Sequence, residues 1–223
     1  MRTVGGRIVL GWLAVTGTIA FTLAWIVAEV LQDGYSLRQD YISELAALDA
    51  RHPWIMITGF LLLGAGTVAL GIGLVGALDG RLARIGSSLV ALAGVGIIVA
   101  GLARNDCRSR LAACAARIDA GDVSRHSATH ELVSLLIFLA LVTAPLVLAR
   151  AFSGSAQWRD LSAYSITTGV VGLVLLVLLL SGIGGSWSGV VQRVFVTVLL
   201  LWIAILGARL IRLSRVRPRE PAL

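Results

Sequence analysis

Lysine is absent from this 223-residue chain, cysteine occurs twice, histidine three times and proline four times. No Walker motif, dinucleotide fingerprint or Gly-x-Ser-x-Gly elbow is present, and no intramembrane histidine pair suits two axial haem positions. Charge is scarce as well. Charged residues make up 14% and hydrophobic residues 57%, with a mean hydropathy of +0.90, a balance that a soluble domain of this size does not need.

The apolar residues gather in six runs that approach or exceed the ~20 residues a helix needs to cross ~30 Å of hydrocarbon. They are residues 8–30, 54–78, 85–102, 132–148, 161–181 and 190–210. The fold class expected is all-α: one polytopic bundle of six membrane helices over residues 1–223, with short extracytoplasmic loop helices and no second, soluble domain. The first run follows Arg2 and Arg7 as a signal peptide would. It is longer than the ~7 to 15 residues of a signal-peptide core and lacks a small-residue cleavage site, so it is expected to remain as the first membrane helix.

With no lysine, orientation rests on arginine. An N-terminus in the cytoplasm places there eleven arginines (Arg2, Arg7, Arg81, Arg84, Arg150, Arg159, Arg209, Arg212, Arg215, Arg217, Arg219) against Asp79, Asp160 and Glu220. The other side then holds eight arginines, Arg193 included, against nine acids. Basic residues concentrate on the cytoplasmic side, which predicts N-in and C-in. The isoelectric point near 10.9 then reflects arginines beside anionic membrane lipids, worth about 1 kcal/mol each near the surface, and no nucleic-acid partner is expected. Arginine in place of lysine, with abundant alanine, is associated with GC-rich bacterial genomes. The expected location is a bacterial cytoplasmic membrane.

Small residues at four-residue spacing, Ala65, Ala69 and Gly73, and Gly96 with Ala100, predict close helix packing in lipid. Trp25, Trp54 and Trp187 fall near one interface and Trp158 near the other, as an aromatic belt requires.

Two loops on the side opposite the termini hold most of the chemistry. The first, residues 32–53, contains Ser36-Leu37-Arg38-Gln39, a capping-box spacing that predicts a short helix lying on the membrane. Its apolar face would be Tyr41, Leu45 and Leu48, with Asp40, Ser43 and Glu44 pointing elsewhere. Pro53 suits the first turn of the next membrane helix. The second loop, residues 103–129, carries both cysteines. Cys107 and Cys114 on a non-cytoplasmic side predict a disulfide. On a continuous helix they would lie ~10.5 Å apart, beyond the ~4.4 to 6.8 Å a disulfide spans, so the segment must bend.

The strongest chemical signal is Ser124-Arg125-His126-Ser127-Ala128-Thr129-His130-Glu131. His126 and His130 are four apart on one helical face, with Ser127, Glu131 and Ser134 beside them, forming a polar stripe that descends into the membrane. A His-x3-His pair binds zinc when a third ligand arrives, and His52 or Asp106 are the candidates. Solvated or loop-bonded polar groups are the plainer reading. Gln192-Arg193 lies ~7.5 Å into the last helix when counted from Ser188, deep enough for the guanidinium to require a partner, with Glu131, Glu44 and Glu29 on the same side. The candidate ligand-binding residues are therefore Glu44, His126, His130, Glu131, Gln192 and Arg193, and the candidate catalytic groups Ser43, Glu44, Asp106 and Glu131.

Tyr41-Ile42-Ser43-Glu44-Leu45, the stretch from Ser124 to His130, and Gly189 to Arg193 with Trp202 together resemble the bacterial and archaeal membrane family known as domain of unknown function 998. The resemblance covers nearly the whole chain and implies a six-helix topology with no assigned activity. A more distant similarity in pattern is to the transmembrane hydrolase superfamily of alkaline ceramidases and progestin-adiponectin receptors, whose serine, aspartate and three histidines Ser43, Asp106, His52, His126 and His130 would mimic. That superfamily has seven helices with its ligands within them, whereas here the set lies in or near loops.

Three functions follow as alternatives. One is a binding or accessory membrane protein whose pocket accepts a lipid or small amphiphile. Another is a zinc-dependent hydrolase of lipid amides or esters, with metal-bound water as nucleophile. The third is a proton-coupled carrier using Glu131 and the histidines, although carriers usually place charge near the midplane and none is found there. Oligomeric state leaves no mark on the sequence.

Overall fold

A computed structural model describes residues 4–215; Arg2, Arg217, Arg219 and Glu220 of the charge comparison lie outside the described residues. The described chain forms seven α-helices and no strand: α1 Val4–Leu31, α2 Pro53–Ala77, α3 Arg81–Leu102, α4 Ala112–Asp119, α5 Arg125–Ser153, α6 Asp160–Leu180 and α7 Ser188–Arg215. Single 3-10 turns occupy Ile42–Ala46 and Gly185–Trp187. All but α4 are long and apolar enough to cross a membrane. The chain is a multi-pass membrane protein with the expected six-helix architecture.

The six long helices stand in a ring. Each packs on its neighbour in the order α1, α2, α3, α5, α6, α7, and α7 returns to α1. Leucine, valine and isoleucine side chains such as Val9, Val30, Leu92 and Leu132 remain exposed around the outside, the surface that lipid would cover. In lipid, helices associate through packing rather than hydrophobic expulsion, so the seams depend on backbone approach. At Gly71 an added Cβ would sit 2.6 Å from Ala91 N, and at Gly17 2.5 Å from Leu62 O. The expected ridge of Ala65, Ala69 and Gly73 is corrected here, because Ala65 is exposed. Two seven-residue stripes replace it: Gly64 and Gly71 face α3, while Gly59 and Gly66 face α1. A helix held between two neighbours needs a seam on each side, which one four-residue stripe cannot provide.

The loops 32–52 and 103–124 fold over one end of the ring, referred to below as the capped end. Trp54 and Trp187 are exposed there. Trp158, expected in an aromatic belt at the other end, is instead fully buried and stacked on Phe152 with ring centroids 5.2 Å apart. The turn after α5 folds it back under the bundle, where the Trp158 backbone N–H donates to Ser155 O at 3.1 Å.

The surface helix expected from Ser36 is also corrected. Asp40, not Gln39, reaches back to the Ser36 N–H, at 2.8 Å. The chain turns there, and only Ile42–Ala46 becomes helical. That turn lies inward: Asp40 and Glu44 are 2% exposed, whereas Leu48, assigned to the apolar face, is 58% exposed. Helix α5 begins seven residues before its apolar run, at a start where Ser124 Oγ accepts the Ser127 N–H at 3.2 Å.

Candidate functional site

Burying Asp40 and Glu44 requires partners, and the loop between α3 and α5 supplies them. Arg110 Nε donates to Asp40 Oδ1 at 2.7 Å. Glu44 Oε1 accepts both the Ser109 N–H at 2.8 Å and the Ser109 hydroxyl at 2.5 Å, while Oε2 accepts the Tyr41 N–H at 3.1 Å. Burial pushes the Glu44 carboxyl above its ordinary value, against the pull of Ser109 and Tyr41. Arg104 donates to the carbonyls of Ala46 and Ala47 at 2.8 and 2.7 Å. Cys107 and Cys114 are bonded, with Cα atoms 5.9 Å apart. The disulfide folds back the segment bearing Arg108, Ser109 and Arg110, the bend that the sequence spacing demanded.

The start of α7 clamps the other side of the same loop. Gly189 N–H donates to Arg38 O at 3.0 Å, Ser188 Oγ to Gln39 O at 3.0 Å, and the Ile42 N–H to Gln192 Oε1 at 2.7 Å. Arg193 Nη1 donates to the carbonyls of Leu37, Asp40 and Gly189 at 2.9, 2.9 and 3.0 Å. Its Nη2 bonds the Tyr35 hydroxyl at 2.6 Å and Glu29 Oε2 at 3.4 Å, and its guanidinium carbon lies 5.4 Å from the Trp25 and Tyr35 ring centroids. The acidic partner is therefore Glu29, not Glu131 or Glu44. Arg193 is a structural clamp on the cap, with most of its bonds going to backbone carbonyls.

Beneath the cap lies a partly open cavity of about 330 Å³. One face of α5 shows its character. Ser127, His130, Glu131 and Ser134 line it near the cap, followed by Ile137, Phe138 and Leu141 deeper down. Gln192, Val196, Leu199 and Ile203 of α7 repeat the passage from polar to apolar, and Phe21, Phe60, Leu63 and Ile97 close the remaining wall. From Ser127 to Leu141 the cavity runs ~21 Å along the helix, somewhat more than half of the ~30 Å hydrocarbon core.

Of the expected site residues, Ser43, Glu44, Asp106, His130, Glu131 and Gln192 line this one cavity. His130 is buried, and its Nδ1 sits 2.9 Å from Ala100 O and 2.8 Å from Ala103 O. Two carbonyl partners require the proton on Nδ1, so Nε2 is the nitrogen left without a protein partner. Asp106 accepts the Ser124 N–H at 2.7 Å and is held below the ordinary carboxylate range by Ser124 and then Arg117.

His126, His52 and Arg193 do not line the cavity. His126 is exposed near Asp106, and His52 occupies the N-terminal cap position of α2. Among the described residues no three His, Cys, Asp or Glu side chains gather with metal-site geometry. The zinc set of His52, His126 and His130 is thus not assembled, because His52 caps α2 and His126 is exposed, and neither lines the cavity with His130. Ser109 and the Asp40–Arg110 pair escape a sequence reading, since their partners lie on another loop.

A family model described as a protein of unknown function, DUF998, matches residues 15–209. No curated protein and no solved structure matches the chain.

Proposed function

We propose, for a chain that belongs to the DUF998 family, that it binds a single-chain amphiphile, with the headgroup under the cap and the hydrocarbon chain running down between α5 and α7. The observation that supports this reading is the cavity itself. Its two longest walls pass from polar to apolar in the same direction over a depth near that of one leaflet, and its volume lies within the ~300 to 1,000 Å³ of small-molecule sites. The capped end is taken as extracytoplasmic and the arginine-bearing end as cytoplasmic in a bacterial cytoplasmic membrane, in keeping with the arginine distribution and a disulfide in the cap. Zinc hydrolysis draws less support because its ligands are apart. Proton-coupled transport draws less because the polar groups stop at Ser134, short of the deeper cavity.

The test is retention of a fluorescent single-chain amphiphile by the protein in nanodiscs. Leu141→Trp and Ile203→Trp fill the deep end and should abolish retention with little change in melting temperature. Retention undiminished in both variants would overturn the reading.

A further inference from the structure

The polar end of the cavity carries more information than its polarity. Ser127, His130, Glu131 and Ser134 occupy positions i, i+3, i+4 and i+7 of α5, neighbouring corners whose Cβ atoms are ~5 to 6 Å apart. Among the described residues, the Glu131 carboxylate, His130 Nε2 and the Ser127 and Ser134 hydroxyls accept no hydrogen bond; Ser127 and His130 are buried, at 6% and 4% exposed, while Ser134 is half-buried and Glu131 exposed at the cavity's polar end. The carboxylate can only accept, and so does Nε2 when the ring carries its single proton on Nδ1. Among the described residues the cavity lining holds one arginine, Arg117, and it is engaged by acids of its own loop. Its Nε bonds Asp122 Oδ2 at 3.1 Å, and its Nη2 lies 3.2 Å from Asp122 O and 3.8 Å from Asp106 Oδ2. The uncharged donors in the lining are the amide nitrogens of Gln192, whose oxygen is taken by Ile42, and of Asn105, with the Tyr41 and Ser43 hydroxyls.

We infer that the headgroup bound here is cationic, a primary ammonium on a single hydrocarbon chain, held by Glu131 and His130 Nε2 with the serine hydroxyls completing its shell; this rests on the amphiphile reading above. An ammonium has three donors and no acceptor, which suits a diamond of acceptors. A carboxylate or phosphate headgroup would meet Glu131, Asp106 and Asp122 with no uncommitted cation in the lining.

The experiment uses the same fluorescent probe in phosphatidylcholine nanodiscs, where no net bilayer charge biases the result. Alkylammonium, alkyl polyol, alkyl carboxylate and alkyl phosphate of equal chain length compete for it. The alkylammonium should displace the probe at about tenfold lower membrane content than the phosphate, the scale of one charge-assisted hydrogen bond. Glu131→Gln should erase that preference. Equal displacement by all four would overturn the headgroup assignment and leave the amphiphile reading standing, as would preference for either anion. A preference for ammonium that survives in Glu131→Gln would also overturn it. Failure of the parent protein to retain the probe would remove both readings together.

Discussion

Replacing Arg193 by alanine tests the cap most directly. The guanidinium holds the carbonyls of Leu37 and Asp40, the Tyr35 hydroxyl and Glu29 at once, and its side chain and that of Glu29 are 11% and 14% exposed. Each buried acceptor left unmet costs about 1 to 3 kcal/mol, and losing one partner of a buried ion pair about 3 to 5 kcal/mol. These losses overlap, because the loop relaxes once rather than bond by bond. The expected destabilisation is about 3 to 5 kcal/mol. Arg193→Lys should fall between parent and alanine, because an ammonium has three donors where the guanidinium has five in a fixed fork. Adding Glu29→Gln to Arg193→Ala should recover part of the loss and adding Glu131→Gln none, since coupling survives only between contacting residues. Unfolding in detergent, followed by tryptophan fluorescence, reads all of these. An Arg193→Ala protein as stable as its parent, or recovery through Glu131, would refute the clamp.

Gly189→Ala should lower stability by about 1 to 3 kcal/mol, since its Cβ would stand 2.6 Å from Asp40 O and 2.7 Å from Leu37 O, while Gly184→Ala, whose Cβ meets nothing closer than 3.6 Å, should match the parent in the same melt. Glu44 is raised from its ordinary 4.5, so the folded state holds its proton more tightly than the unfolded one. Stability should therefore fall as pH rises from 4.5 toward the raised value and then level off. Melting temperature against pH should lose that decline in Glu44→Gln, and an unchanged profile would refute it. Reducing the Cys107–Cys114 bond should cost roughly 2 to 3 kcal/mol for so short a loop, and mass spectrometry of oxidised protein should find no free thiol.

Run length alone located the six long helices, because crossing hydrocarbon demands it. The start of α5 was obscured since Arg125, His126, His130 and Glu131 interrupt the apolar run, although Ser124 marks it as a cap. The stripe of Ser127, His130, Glu131 and Ser134 was readable because helical periodicity is local. What could not be read were the inward turns of Asp40 and Glu44. Their partners, Arg110 and Ser109, lie 70 and 65 residues onward, and a charged side chain followed by polar neighbours reads as solvated when those partners are unseen. Trp158 misled for the same reason: belt position and burial under Phe152 give the same local sequence.

The clamp also bears on the order in which the molecule is made. Residues 34–46 leave the ribosome before most of the bundle, yet nearly every group that closes over them comes later: Arg104, Ser109 and Arg110 after α3, then Gly189, Gln192 and Arg193 at the start of α7. Until α7 is inserted, the carbonyls of residues 37–39 have only water to satisfy them. The loop between the first two helices is therefore closed only once the last helix is in place.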